Sequence, residues 1–174
     1  MTDALDRALA LIREVPDFPE PGVLFRDLSP MLADDRAFRA VAEALAGGLD
    51  ESVRTVVAVE ARGFLFGAAL AAVGGFGVVP VRKAGKLPLV ADSQTYELEY
   101  GTATLELPDG ALSPDEPVVV VDDVLATGGT LAASCDLVER AGAQVAAVRV
   151  VVEIAALGGR GRLAERNLGA LLTV

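Results

Sequence analysis

The sequence predicts an α/β fold with a central, mainly parallel sheet flanked by helices. Two observations carry this reading. Continuous apolar runs, TVVAVE (55–60), FGVVPVR (76–82), PVVVVDD (117–123) and QVAAVRVVVEI (144–154), read as strands buried on both faces. Segments of helical periodicity separate them, and strand–helix–strand alternation builds a parallel sheet covered by helices. At 174 residues, 52% hydrophobic and 23% charged, the chain suits one domain with a substantial core.

In chain order, residues 3–15 are apolar at 5, 8, 9, 12 and 15, which predicts a helix stopped by Pro16. The four prolines of PDFPEPGVLFRDLSP (16–30) exclude regular helix there, so an ordered loop with a short extended piece is expected. A helix over about 35–49, a strand at 55–60, a helix over 63–75 and a strand at 76–82 follow. Residues 83–94 show no periodicity, only basic, small and proline residues, and read as a long loop of the kind that carries function. TYELEY (95–100) and TATLELP (102–108) alternate with period two around Gly101, the pattern of an antiparallel hairpin. A strand at 117–123, a helix over 128–141 ended by Gly142, and a strand at 144–154 come next. A short helix near 156–165 and a terminal strand near 168–173 complete the chain.

Composition excludes several classes of function. The chain has no histidine, which removes Ser–His–Asp and Cys–His catalysis and histidine-ligated zinc. Its single cysteine, Cys135, shares a helical face with Leu131 and Val138 and reads as a core thiol, consistent with a reducing compartment. A net charge of −10 argues against nucleic-acid binding. No run approaches the length of about 18 apolar residues that a membrane span needs. The N-terminal MTDALDRALALIREV alternates charged and apolar residues and does not read as a signal peptide, so a cytoplasmic location is expected.

In open parallel sheets, ligands bind outside the carboxyl ends of the strands. Three such ends carry charge here, after Val59, Val81 and Val121. The first leads into Glu60-Ala61-Arg62, and the second into the basic cluster RKAGK (82–86). The third runs through Asp122, Asp123 and Val124 into Ala126-Thr127-Gly128-Gly129-Thr130, which opens a helix. Backbone N–H groups and hydroxyls at a helix start favour an anion, and glycine lets the backbone approach it closely. The loop lacks the Lys-Ser/Thr ending of a Walker A loop and the G-x-G-x-x-G of a dinucleotide fold. One phosphate remains, with carboxylates just before it that accept hydrogen bonds from sugar hydroxyls. A phosphorylated ribose satisfies both halves. Taken alone, TGGT reads as a turn and the aspartates as helix caps; the whole string is far more specific.

That string resembles the phosphoribosyl-pyrophosphate signature of the type I phosphoribosyltransferases. FPEPGVLFRDLSPML (18–32), VEARGFLFGAALA (59–71), VRKAGKLP (81–88), YELEYGTATLEL (96–107) and VEIAALGGRGRL (152–163) narrow the resemblance to the adenine branch of that family. It spans nearly the whole chain in collinear order. It implies the type I fold in a single domain (1–174), with an N-terminal hood and base-binding segment over about 1–34, a core over 35–174 and a mobile catalytic loop. The implied reaction moves the 5-phosphoribosyl group of phosphoribosyl pyrophosphate to adenine, giving AMP and pyrophosphate. It also implies Mg²⁺ bound mainly through the substrate, no metal held by the protein alone, and a homodimer.

The resemblance also distributes roles. Asp122, Asp123, Ala126, Thr127, Gly128, Gly129 and Thr130 would hold the ribose 5-phosphate. Glu60, Ala61, Arg62, Arg82, Lys83 and Lys86 would form the pyrophosphate side, with a cis peptide expected between Glu60 and Ala61. Arg62, Glu99 and Tyr100 would be catalytic, Glu99 handling the adenine proton and Tyr100 closing over the site. By strand alternation alone Glu99 is not favoured over Glu97. The backbone at Leu24 and Arg26 would read the adenine edge, with Phe25 and Val124 covering its faces. Two positions depart from the family pattern, Ala61 where many relatives have serine and Leu89 where many have glycine. A transferase acting on another base, a phosphoribosyl-pyrophosphate sensor and a catalytically impaired homologue, the last supported only by Ala61 and Leu89, are the rival readings. Neither a helix-turn-helix nor a basic surface supports the sensor.

Overall fold

The computed structural model describes residues 3–97 and 101–174, and the chain divides into two compact units, residues 1–44 and 45–174.

In the first unit, α1 (Asp3–Leu9) buries Leu5, Ala8 and Leu9. The helix expected over 3–15 ends early, because Arg13–Pro16 forms a strand, β1, antiparallel to β2 (Leu24–Asp27). Ile12 and Val15 keep helical spacing, but cross-strand pairing overrides it: Arg13 meets Asp27 at 2.5 Å and Glu14 pairs with Arg26. Ser29 and Arg13 hold the Asp27 carboxyl down to about 2. The proline-rich stretch contains β2 and a short helix, α2 (Ser29–Ala33), with a proline in its first turn, where no N–H is missed. Asp34 then caps α3 (Asp35–Ala46), its Oδ1 accepting the Ala37 N–H at 2.8 Å and the Arg36 N–H at 3.1 Å.

The second unit is built on a seven-stranded sheet. Its elements are β3 (Thr55–Val59), α4 (Gly63–Gly74), β4 (Gly77–Lys83), β5 (Val90–Glu97), β6 (Thr102–Pro108), β7 (Pro117–Leu125), α5 (Gly129–Arg140), β8 (Gln144–Glu153) and β9 (Leu168–Thr173). The spatial order is β5-β6-β4-β3-β7-β8-β9. From β4 to β9 the neighbours are parallel; β6 pairs antiparallel with both β4 and β5. The mainly parallel sheet is thus as predicted, and so is the antiparallel hairpin over its described residues. The loop expected over 83–94 is corrected: from Val90 onward the chain is strand, with Ser93 opposite Glu106 and Gln94 opposite Leu105. A strand with so little apolar alternation is set by its partner, not by its own pattern. The short helix expected near 156–165 is two 3₁₀ turns, Ala155–Leu157 and Gly159–Leu163, separated by Gly158 at φ 67°.

Val57, Val59, Val79, Val81, Val118, Val120, Val148 and Val150 form one face of the core with Leu131, Cys135, Leu137 and Val138 of α5. Burial pushes the Cys135 thiol up to about 12, as suits a core residue. Ala58 points to the other face, where α4 packs so closely that a methyl on Gly67 would stand 2.5 Å from its Cβ. Helices therefore cover both faces of the sheet. Among the described residues, no helix is long and apolar enough to cross a membrane.

Candidate active site

The register of the central strands sets the site. Val59 lies opposite Val81, and Ala58 opposite both Pro80 and Val121, so the chain leaves β3, β4 and β7 side by side. The three charged strand ends named from the sequence are neighbours in space.

Glu60 sits among the cations. Its carboxylate, 7% exposed, accepts the Lys83 backbone N–H at 3.0 Å, lies 3.4 Å from Arg82 Nε and pairs with Lys86. Burial opposes its ionisation, but Lys86, the Lys83 N–H and Arg82 outweigh that and hold its pKa below the ordinary glutamate value. Arg82 lies over the Phe64 ring, 6.0 Å from its centroid. Gly85, at φ 80°, turns the chain between Lys83 and Lys86, and its N–H is held by both oxygens of Glu106 at 3.0 and 3.1 Å. The Glu60–Ala61 peptide is cis, as the resemblance implies.

Arg62 Nε pairs with Asp123 Oδ2 across the gap between β3 and β7. Asp122 is buried, accepts the Asp123 N–H at 2.8 Å and lies against Gly63, where a methyl would approach Oδ1 to 2.8 Å. Burial, with the Asp123 charge beside it, pushes the Asp122 carboxyl well above the usual range. The two adjacent aspartates therefore differ: Asp123 faces a cation, while Asp122 is held toward its neutral form.

Beyond them the chain makes the expected loop. Gly128, at φ 81°, is the residue from which α5 starts, and the Ala132 N–H donates to its carbonyl at 2.9 Å. A cavity of about 60 Å³ is lined by Val124 to Leu131, a size suited to a compact anion. Thr127 is exposed, and the Thr130 hydroxyl bonds the Tyr96 hydroxyl at 3.0 Å. Basic groups, an arginine–aspartate pair and the cavity-lining 124–131 loop thus lie together at the carboxyl ends of neighbouring central strands.

Residues 31–167 match the family model described as phosphoribosyl transferase domain. An adenine phosphoribosyltransferase of Saccharopolyspora erythraea is 62% identical over 97% of this chain and 92% of its own. The chain belongs to the phosphoribosyltransferase family, in its adenine phosphoribosyltransferase branch. Among solved structures, the adenine phosphoribosyltransferase of Thermoanaerobacter pseudethanolicus superimposes with a TM-score of 0.92 at 45% identity, over 98% of this chain and 99% of that one. The Saccharomyces cerevisiae enzyme, solved with adenine and an imino-altritol bisphosphate, does so with a TM-score of 0.93 at 36% identity, over 99% and 100% of the two chains.

Within this phosphoribosyltransferase chain, the residues expected at the sugar phosphate and pyrophosphate all fall in the second unit, at the strand ends just described. Val124, half-buried, belongs to the same group. Leu24, Phe25 and Arg26 lie on β2 of the first unit. There Leu24 is exposed, Arg26 pairs with Glu14, and Phe25 meets Phe18 edge-on with centroids 5.1 Å apart. Glu99 and Tyr100 lie outside the described residues.

Sequence reasoning missed two side chains that serve this site. Glu106 fastens the Gly85 turn of the basic segment, and Tyr96 meets Thr130. Tyr96 falls on the inward side of the β5 alternation, but nothing in its own segment signals a hydroxyl partner 34 positions away.

Proposed function

We infer that this chain transfers the 5-phosphoribosyl group of phosphoribosyl pyrophosphate to adenine, giving AMP and pyrophosphate in purine salvage. The observation that carries the reading is the one set of neighbouring strand ends that gathers an anion loop, the Arg62–Asp123 pair and the Arg82–Lys86 cluster. Near-full-length likeness to adenine phosphoribosyltransferases supplies the base.

In this reading, residues 126–130 hold the 5-phosphate on the backbone N–H groups at the start of α5, and Asp123 accepts hydrogen bonds from the ribose hydroxyls. As the bond from C1′ to pyrophosphate breaks, the sugar gains oxocarbenium character and the leaving group gathers negative charge. Arg62, Arg82, Lys83 and Lys86 face that charge, and Glu60 keeps the last three grouped. Adenine N9 forms the new bond to C1′, and Glu99 takes the N9 proton, with Tyr100 closing the site. Leu24 and Arg26 read the base edge through their backbone, and Phe25 and Val124 cover its faces.

A divalent ion, Mg²⁺, would ride on the phosphate oxygens and neutralise part of the leaving-group charge. The donor set fits that mode: Asp122 is buried and Asp123 is already paired with Arg62, so neither is a free ligand and the ion would be held mainly by the substrate. A homodimer is part of the same reading, supported by exposed apolar side chains such as Leu65 and Val78. Cytoplasmic working is supported by the lone, buried, reduced thiol of Cys135.

The test is an assay with phosphoribosyl pyrophosphate and Mg²⁺ against adenine, hypoxanthine, guanine, xanthine and orotate in parallel. Adenine-dependent AMP and pyrophosphate, with the other bases near background, is the expected outcome. Turnover of a different base overturns the assignment of residues 24–26. Binding of phosphoribosyl pyrophosphate without turnover of any base favours a sensor.

A further inference from the structure

The segment VEIAALGGRGRL (152–163) carries family resemblance but has no part in the chemistry above. Its place in the fold supplies one. Behind the anion loop, the backbone of Gly159 is wedged against the backbone of Ala126 and Gly128. A methyl on Gly159 would stand 2.1 Å from the Ala126 carbonyl oxygen and 2.8 Å from the Gly128 nitrogen. Conversely, a methyl on Gly128 would stand 2.6 Å from the Gly159 carbonyl oxygen. Neither residue tolerates a side chain, and both obstacles are backbone, which cannot swing aside.

This backstop is itself fastened. Arg160 grips Glu153 with two prongs, Nε to Oε1 at 2.8 Å and Nη2 to Oε2 at 2.5 Å, and the Glu153 side chain is only 6% exposed. Glu153 is the last residue of β8 and lies opposite Leu125 of β7 and Thr173 of β9. The Ile154 N–H donates to the Leu125 carbonyl at 2.9 Å, pinning the strand just where the anion loop begins. The central sheet thus reaches the back of the loop through one arginine and one glycine.

We propose that Gly159 and Arg160 are positioning residues for the 5-phosphate site: Gly159 braces the Ala126–Gly128 backbone from behind, and the Arg160–Glu153 pair holds Gly159 in place. The proposal rests on residues 126–130 being the phosphate site. A brace of this kind aims backbone N–H groups, and a displacement of about 1 Å in such donors lowers affinity for a phosphate without altering its charge balance.

The experiment is calorimetric titration of Gly159→Ala, Arg160→Lys, Glu153→Gln and Thr127→Val with ribose 5-phosphate, alongside KM for adenine and thermal melting. Gly159→Ala is expected to weaken ribose 5-phosphate by about tenfold or more, and Arg160→Lys by about threefold, with KM for adenine within about twofold of wild type. Arg160 is half exposed, so Arg160→Lys keeps the proposal testable if Gly159→Ala does not fold. Wild-type ribose 5-phosphate affinity in Arg160→Lys and Glu153→Gln overturns the brace. So does an equal loss of adenine and sugar-phosphate affinity, which marks a general structural defect. Thr127→Val is the control on the loop itself. If it alone weakens ribose 5-phosphate, the phosphate site stands and the brace falls; if none of the four variants changes ribose 5-phosphate affinity, the phosphate site falls and the brace with it.

Discussion

Arg62, three residues past the last valine of β3, is ion-paired with Asp123 on β7, 61 positions further along the chain. The pair bridges the end of β3 to β7, the proposed pyrophosphate and ribose sides of the site. In the proposed reading Asp123 has two duties, as acceptor for the sugar and as anchor for the arginine. Asp123→Asn is expected to weaken ribose 5-phosphate about tenfold by titration calorimetry. A double-mutant cycle with Arg62→Lys should show coupling of about 1 kcal/mol or more, the upper end for surface pairs, because Asp123 is buried and Arg62 only a third exposed. Additive effects would separate the two residues.

Glu60 has the opposite sign from its surroundings, and its use follows from geometry. Arg82, Lys83 and Lys86 come together on its two oxygens. Glu60→Gln should scatter them and raise KM for phosphoribosyl pyrophosphate about three- to tenfold while leaving KM for adenine near wild type. A lower KM would mean that Glu60 competes with pyrophosphate for the same cations.

Asp122 sets a pH dependence of stability. Its folded-state pKa is raised by burial and by Asp123, so above the ordinary value of 3.8 the folded chain holds a proton that the unfolded chain releases. Stability on this account is greatest at low pH and declines as pH rises from about 3.8 toward the raised value. Asp122→Asn mimics the neutral form. Its Tm should lose that part of the pH slope, and a Tm profile parallel to wild type between pH 4 and 8 would refute the assignment.

On the proposed role of its carboxylate at the base, Glu99→Gln should lower kcat by about 100-fold or more while leaving phosphoribosyl-pyrophosphate affinity nearly intact. An unchanged kcat removes it from the mechanism. Glu97→Gln, two residues earlier on β5, serves as the comparison.

The central strands are legible in the sequence because they are buried on both faces. Val118 to Val121 have no polar face to alternate with, so no register question arises. Strand β5 is less legible. VADSQ carries neither a continuous apolar run nor clean alternation, and its extended form depends on β6 on one side and on Arg140, which bonds Asp92, Ser93 and Gln94. The overlong first helix has a related cause, since Ile12 and Val15 satisfy a helical stripe while Glu14 finds its charge partner only across a strand pair. At the site, the residue types at each strand end were legible. Their partners were not, because Arg62 to Asp123 and Glu60 to Lys86 are contacts across 61 and 26 positions. Resemblance alone favours Glu99 over Glu97, since period-two alternation gives residues two apart the same face.

Helix α5 begins at the anion loop with Gly129 and ends with Arg140, whose guanidinium holds the edge strand β5. Its 12 residues therefore act as a spacer of about 18 Å between two fixed attachments. One residue more or less would turn Arg140 by about 100° around the helix axis and carry it off Asp92 while the loop at the other end stayed in place. The length of this helix is consequently as constrained as any side chain in the site. Changes in chain length belong instead at the open Gly110 turn after β6, where nothing lies within 4 Å of an added methyl.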